Sequence, residues 1–320
     1  MSSATVGVDI AKHKFDAARL GVDGKYKQRK FDNAAQGFAD FLAWLDGLGA
    51  EGVPVCMEAT GAYSVPLAEF LAGQGRHVSV VNPAAVAGFA KSELSRAKTD
   101  RADAKLIARF AREKRPPAWA PPPANIRALQ ELLRRADDLR NMVGMERNRQ
   151  DTAGPRARAS IQAVLKTLAA ELAAVEADIR QHIDGDPDLR GRSSLLESIP
   201  GIGKTTAAHL LVALAPHYAF ATAKQAAAHS GLDIRILQSG KWAGQPHITK
   251  CGDPLLRKAL YMPALVAWRH NPPIRAFCQR LKDKGKNGKV IACAAMRKLL
   301  HIAFAVLKSG NKFDPNYAIA

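Results

Sequence analysis

Four carboxylates stand out by where the chain places them. Asp9 interrupts the apolar segment "TVGVDIA" (5–11), in which Val6, Val8 and Ile10 alternate as in a half-buried strand. Glu58 sits near the end of the short apolar run "VPVCMEA" (53–59), and Asp100 and Asp103 open the helical stretch "TDRADAKLIARF". Residues three apart on a helix share a face, so the last two can converge on one point. An acid inside a strand costs desolvation unless a cation or a donor meets it. Singly, three of them have plain readings: Asp100 and Asp103 as helix-start acids with Thr99 or Asp100 as the cap, and Glu58 as a solvated strand end. All four together, on elements whose ends can meet, favour a shared metal site.

A second candidate is "SIPGIGKTTAAHLL" (198–211), with Gly-Lys-Thr at the mouth of a helix. A nucleotide-binding loop needs Gly at the first position of Gly-x-x-x-x-Gly-Lys-Thr, after a buried strand. Here that position is Ser198, Pro200 removes an amide donor, and the preceding "GRSSLLESI" has helical spacing. Helix, "PGIG", then helix instead fits a helix-hairpin-helix. Gly201 and Gly203 let the backbone turn tightly and approach phosphate, helix-start amides face the anion, and Lys204 adds charge. The bland alternative is a helical turn used only for packing.

These groups need elements to hold them. The first third has the order βββαβαβα, with an Asp-Gly hairpin signal at 23–24, Asn33 capping a helix and Pro83 starting another. That order implies a mixed sheet with helices on its faces. After the proline-rich "WAPPPANIRAL", apolar residues recur at helical spacing from Ile126 to Val143 and from Ile161 to Ile179. Gly154-Pro155 breaks the pattern, which predicts an antiparallel helical hairpin that packs on its own chain or dimerises as a coiled coil. Domains are expected at 1–120, 121–188 and 189–320. The segment from Gln238 to Asp253 is irregular, and a helix starts near Pro254. Ser239, beside a glycine and near Lys241 and Lys250, is by pattern a turn residue, since a serine is a weak nucleophile until activated.

Net charge is +18, and residues 241–320 carry 15 Lys or Arg against three acids, which favours a polyanionic partner. Lys284 and Lys286 lie in the basic loop 282–289, which suits phosphate tracking or a merely solvated turn. The four cysteines have no metal-site spacing, and neither a signal segment nor an apolar run of membrane-spanning length is evident. The chain is expected in the cytoplasm, with no membrane partner and no ATP.

The motifs "GVDIAKHKFD", "MEATG" and "KTDRADAKLIA" resemble the N-terminal domain of DEDD-type insertion-sequence transposases, the RNA-guided bridge recombinases. "QSGKWAGQPHITKCGDPLLRKAL" is similar to the second signature of that family. The resemblance covers nearly the whole chain, least specifically the helical spacer. It departs at Asp253, where Asn is commoner, and at Pro246-His247, where an arginine is expected. The resemblance implies an RNase-H-like (RuvC-like) α/β N-terminal domain, a helical spacer and a mainly α C-terminal domain. It implies Asp9, Glu58, Asp100 and Asp103 as the acidic set, and such hard oxygen ligands suit Mg²⁺. It further implies Ser239 as the nucleophile that forms a phosphoserine bond with DNA. Gly201, Gly203, Lys204, Lys241, Lys250, Arg257, Lys284 and Lys286 are then the expected nucleic-acid contacts. Partners implied are donor and target DNA, a structured guide RNA, and further copies of the chain, as a dimer that pairs into a tetramer. The alternative is a Mg²⁺-dependent, structure-specific endonuclease resembling a Holliday-junction resolvase. A non-catalytic nucleic-acid-binding scaffold is a third reading.

Overall fold

The computed structural model describes residues 3–50, 52–93, 99–236, 238–239, 242–244 and 246–316. It divides into two compact units, Met1–Pro121 and Pro122–Ala320.

In the first unit, β1 (Thr5–Ile10), β2 (Lys14–Leu20) and β3 (Tyr26–Asp32) form an antiparallel meander. β4 (Val55–Glu58) pairs parallel to β1, and β5 (Val78–Val81) parallel to β4, giving the order β3-β2-β1-β4-β5. Alternation along each strand divides its side chains between two faces. Val6, Val8 and Ile10 of β1, with Phe15, Phe31, Val55 and Met57, pack against α1 (Ala35–Gly47) and α2 (Val65–Gly73). The opposite face, with Cys56, packs against α3 (Pro83–Ser92) and α4 (Asp100–Lys114). The expected mixed sheet with helices on its faces is present. One detail differs: Ala34, not Asn33, is the N-cap of α1. The Asn33 amide instead donates to the carbonyls of Ala11 and Tyr63, at 3.0 and 3.1 Å, and so ties two loops together.

The approach of α4 to β1 is very close. A Cβ on Gly7 would lie 2.2 Å from the carbonyl oxygen of Ala104 and from the amide nitrogen of Ala108. Two residues away on the same face, the Thr5 hydroxyl donates to the Ala108 carbonyl at 2.8 Å. The start of α4 is fixed by Thr99, whose hydroxyl caps the Ala102 amide, and by the Gln28 amide, which donates to the Arg101 carbonyl at 2.9 Å.

In the second unit, α5 (Ala124–Thr152) and α6 (Pro155–Gly185) form the expected hairpin, broken at Gly154-Pro155. Their roots, with Leu129, Leu133, Ile179 and Ile183, share one core with the helices that follow rather than standing apart from them. Those helices are α7 (Pro187–Glu197), α8 (Lys204–Ala213), α9 (Ala223–His229), α10 (Pro254–His270), α11 (Pro272–Asp283) and α12 (Gly288–Ser309). The stretch from Gln238 to Asp253, expected to be irregular, contains short antiparallel pairs. β6 (Ile234–Arg235) pairs with β9 (His247–Ile248), and between them β7 (Gln238–Ser239) pairs with β8 (Trp242–Ala243). Strands of two residues are too short to give a periodic signal. α12 also corrects the expectation that no run reaches membrane-spanning length. With a mean hydropathy of 1.9 over its most apolar window it is long and apolar enough by composition. Here it is a central core helix, burying Ile291, Met296, Leu299, Leu300, Ile302 and Val306 among others.

Gly7→Ala is expected to force α4 off the sheet and destabilise the first unit by about 3 kcal/mol, as overpacking against rigid backbone does. Thermal unfolding of the variant measures this; an unchanged melting temperature would remove the close approach as a constraint.

Candidate active site

The face of β1 that meets α4 carries Thr5, Gly7 and Asp9, so Asp9 points to the side on which α4 begins. The same alternation puts Cys56 and Glu58 of β4 on that side, since Val55 and Met57 belong to the opposite core. Glu58 continues the β1–β4 register one step beyond the Val8–Met57 pair, next to Asp9. Asp100 and Asp103 enter from the first turn of α4, behind the Thr99 cap.

Electrostatics show which of these carboxylates feel one another. The Asp9 carboxyl is pushed up to about 6, first by burial, then by the negative charges of Asp103, Asp100 and Asp16. Asp100 is held low by Lys14, whose ammonium lies 3.2 Å from it in an exposed ion pair. Glu58 acts on the buried thiol beside it: burial, aided by the Glu58 charge, pushes Cys56 up to about 12. Among the described residues, no group of three or more His, Cys, Asp and Glu is gathered closely enough to hold a metal ion. The acids share a face but not yet a point. Their donor set nevertheless suits a hard divalent cation, being all carboxylate oxygen, and the charge crowding at Asp9 is what such a cation relieves.

Two residues of this site were not singled out in the sequence. Asp16 is buried, lies directly across from Asp9 in the β1–β2 register, and has Lys30 at 3.9 Å. Lys14 begins the same strand. The signal was the tight connection from Ala11 to Lys14: it fixes the hairpin register and hence the opposition of positions 9 and 16.

The remaining candidates lie in the second unit. Ser239 is solvent-exposed on β7. Lys250 is exposed and takes a left-handed backbone (φ 55°), in a loop stitched by its amide to the Gly231 carbonyl at 3.1 Å. Arg257, expected at the nucleic acid, is used internally: its Nη1 donates to the carbonyls of Ser230 and Gly252, at 3.0 and 2.9 Å. It thereby fastens the start of α10 to the chain on either side of the serine segment. Asp253, the departure from the family pattern, caps α10 by accepting from the Leu255 amide at 2.8 Å. Gly201 has φ 107° and lies so close to α10 that a Cβ would meet the Pro263 carbonyl at 2.9 Å. Its need for glycine therefore comes from packing. Gly203 faces open space and caps α8, with exposed Lys204 first in that helix. Lys284 and Lys286 are exposed between α11 and α12. Lys241 lies outside the described residues.

The raised Asp9 value has a consequence for stability. A carboxyl whose folded value (about 6) exceeds its unfolded value (3.8) binds its proton more tightly when folded. Folding stability of the metal-free protein therefore falls as pH rises from about 4 to about 6. A shift of two units is about 3 kcal/mol unscreened; with partial solvent access about 1 kcal/mol is expected. Asp9→Asn should raise the melting temperature of the metal-free protein at pH 7.5 and leave it nearly unchanged at pH 4. Equal effects at both pH values would contradict the crowding.

Comparison with known proteins matches two separate stretches of the chain, the first of which runs from the first unit into α5 of the second. A DEDD-type family model described as "Transposase" matches residues 6–153, and a model described as "Transposase IS116/IS110/IS902 family" matches residues 193–279. The chain is 36% identical over 318 residues to the "Pilin gene-inverting protein" of Moraxella bovis, covering 98% of both chains. The same protein of Moraxella lacunata is equally similar. An "Insertion element IS110 uncharacterized 43.6 kDa protein" of Streptomyces coelicolor is 28% identical over 162 residues, 48% of this chain and 39% of that one. An RNase-H-like α/β first domain goes with the DEDD model, and the five-stranded mixed sheet agrees with it. The chain belongs to the DEDD-type IS116/IS110/IS902 transposase family, a family of DNA-processing enzymes.

Proposed function

We propose that this transposase cleaves and rejoins DNA strands through a 5′-phosphoserine at Ser239, with the acidic face of the first unit as its second catalytic element. The observation that carries the reading is the half-buried Asp9, whose carboxyl is raised first by burial and then by the charges of Asp103 and Asp100 at the start of α4. Such an arrangement is poor for stability and suited to catalysis. Asp9, Glu58, Asp100 and Asp103 would hold Mg²⁺, which when bound neutralises charge developing on a phosphodiester.

In the proposed reaction the Ser239 hydroxyl gives up its proton and its oxygen attacks the phosphorus of the scissile phosphate. The bond from phosphorus to the 3′ oxygen breaks, and that oxygen takes a proton to become a free 3′ hydroxyl. A 3′ hydroxyl from the exchanged strand then attacks the phosphoserine and returns the serine hydroxyl. The number of phosphodiester bonds is conserved, so ATP is not needed. Inversion of a gene, the activity named for the Moraxella relatives, is a rearrangement of this kind, and similarity over 98% of both chains supports it here.

The acids and Ser239 lie in different units of the chain, and meeting at one strand in an assembly of several copies is part of the proposal. α7 and α8, with the turn through "PGIG" between them, would work as a helix-hairpin-helix: Gly203 and the first amides of α8 are open to a phosphate, with Lys204 beside them. Lys241, Lys250, Lys284 and Lys286 would follow the backbone without reading sequence. The guide RNA is proposed as the source of sequence choice, supported by the net charge of +18 and the family resemblance. The cytoplasm is proposed as the place of action.

Incubation with insertion-sequence junction DNA in Mg²⁺, followed by a denaturing gel, should give a covalent protein–DNA product. Ser239→Ala should abolish it while DNA binding stays within about twofold. Asp9→Asn should abolish Mg²⁺-dependent product. Persistence of the adduct in Ser239→Ala removes that residue from the role. Cleavage to free ends with no adduct supports a resolvase-like nuclease instead.

A further inference from the structure

Beside the serine segment lies a cavity of about 520 Å³; among the described residues, neither the acids nor the proposed phosphate contacts line it. One wall is the β6–β9 pair, through Ile234, His247 and Ile248; another is Phe277 of α11. The floor is a single face of α12, in which Val290, Cys293, Arg297 and His301 recur at helical spacing. Its apolar part is open to solvent: Ile234 and Val290 are 51% and 50% exposed.

Three observations say what fits there. The cavity combines ring side chains (Phe277, His247 and His301) with an apolar floor. Lys289 and Lys298 line it and, among the described residues, no carboxylate does; the neighbouring Asp233 is held by Arg297 at 2.8 Å. His301 has a buried Nε2 with no hydrogen-bond partner among the described residues. Burial and the cations Arg297, Lys298 and Lys224 hold its imidazole below the usual range, so it is neutral near pH 7. Flat rings, lysines and a neutral polar edge are what single-strand binders present to an unpaired base and its phosphate. A purely hydrophobic ligand would leave Lys289 and Lys298 without a role, and a duplex presents its bases stacked and enclosed.

We propose that this cavity takes the unpaired base of a single-stranded DNA nucleotide adjoining the strand that Ser239 attacks. The inference rests on the strand-transfer reading for which strand is bound, and on the cavity alone for the base. β6 and β9, which wall the cavity, flank the β7–β8 pair that carries Ser239. Strand exchange must leave bases unpaired next to the cut, and a pocket for one of them would hold the freed end in place.

The full chain is titrated with a single-stranded DNA oligonucleotide containing 2-aminopurine, which reports stacking. The fluorescence should change on binding. Ala294→Leu, which fills the cavity without altering charge, should weaken single-strand binding about tenfold, the worth of one stacked base. Binding of a duplex of equal length should stay within about twofold. In the unmodified protein the oligonucleotide should slow alkylation of Cys293, which lines the cavity, and Ala294→Leu should reduce that protection, as peptide mapping would read. The proposal is overturned if Cys293 is not protected, if Ala294→Leu weakens both DNA forms alike or neither, or if only an RNA oligonucleotide responds to the variant. The stacking signal should persist in Ser239→Ala. Its presence without any covalent adduct in the unmodified protein would defeat strand transfer and leave the base pocket standing.

Discussion

Backbone meeting backbone at Gly7 is the constraint on which the first unit depends. Only a residue without a Cβ lets α4 lie directly on β1, with Ala104 and Ala108 over the central strand. That contact sets the height of the helix, and the Thr5 hydroxyl sets its register. Its first turn, capped by Thr99, is thereby delivered to the side of the sheet on which Asp9 emerges. The acidic face is a product of packing: side chains that repel one another are brought together because the atoms behind them cannot be elsewhere.

In the second unit the same logic stops short of Ser239 itself, which lies on a two-residue strand among short pairs. Its position is defined at the ends of the segment, not within it. Gly231 and Gly252 permit close backbone approach there, and Arg257 joins the Ser230 and Gly252 carbonyls. A nucleophile that must enter and leave a covalent bond with a moving strand suits a segment held at its base. The acids, by contrast, keep a fixed face.

Much of this was legible in the residues. Alternation in 5–11 and the short apolar run 53–59 gave the strands, and strand geometry divides them into the odd-numbered face of β1 and the even-numbered face of β4. Gly154-Pro155 broke the long helices where expected. What escaped depended on partners that sequence spacing does not name. Asp16 became part of the acidic face only through the register with Asp9. Arg257 and Gly201 have the residue types of phosphate contacts, yet packing and backbone carbonyls use them. Asn33 looked like a cap because it precedes a helix, but its amide found two loop carbonyls instead. A polar side chain advertises what it can bond to, not which of several partners the fold will bring.

The hairpin of α5 and α6 has a mechanical side. At about 1.5 Å per residue each helix runs for more than 40 Å. The residues it buries lie in the half nearer Ile126 and Ile183, as far as Leu139, so it is a stiff rod clamped over that half. Leu133 and Ile183 at the clamp line the same small cleft as Lys204 and Ala208 of α8. A push on the far tip becomes a torque at that clamp. The mouth of α8, with Lys204 exposed at its start, therefore stands against the anchored end of the arm, where such a torque is felt.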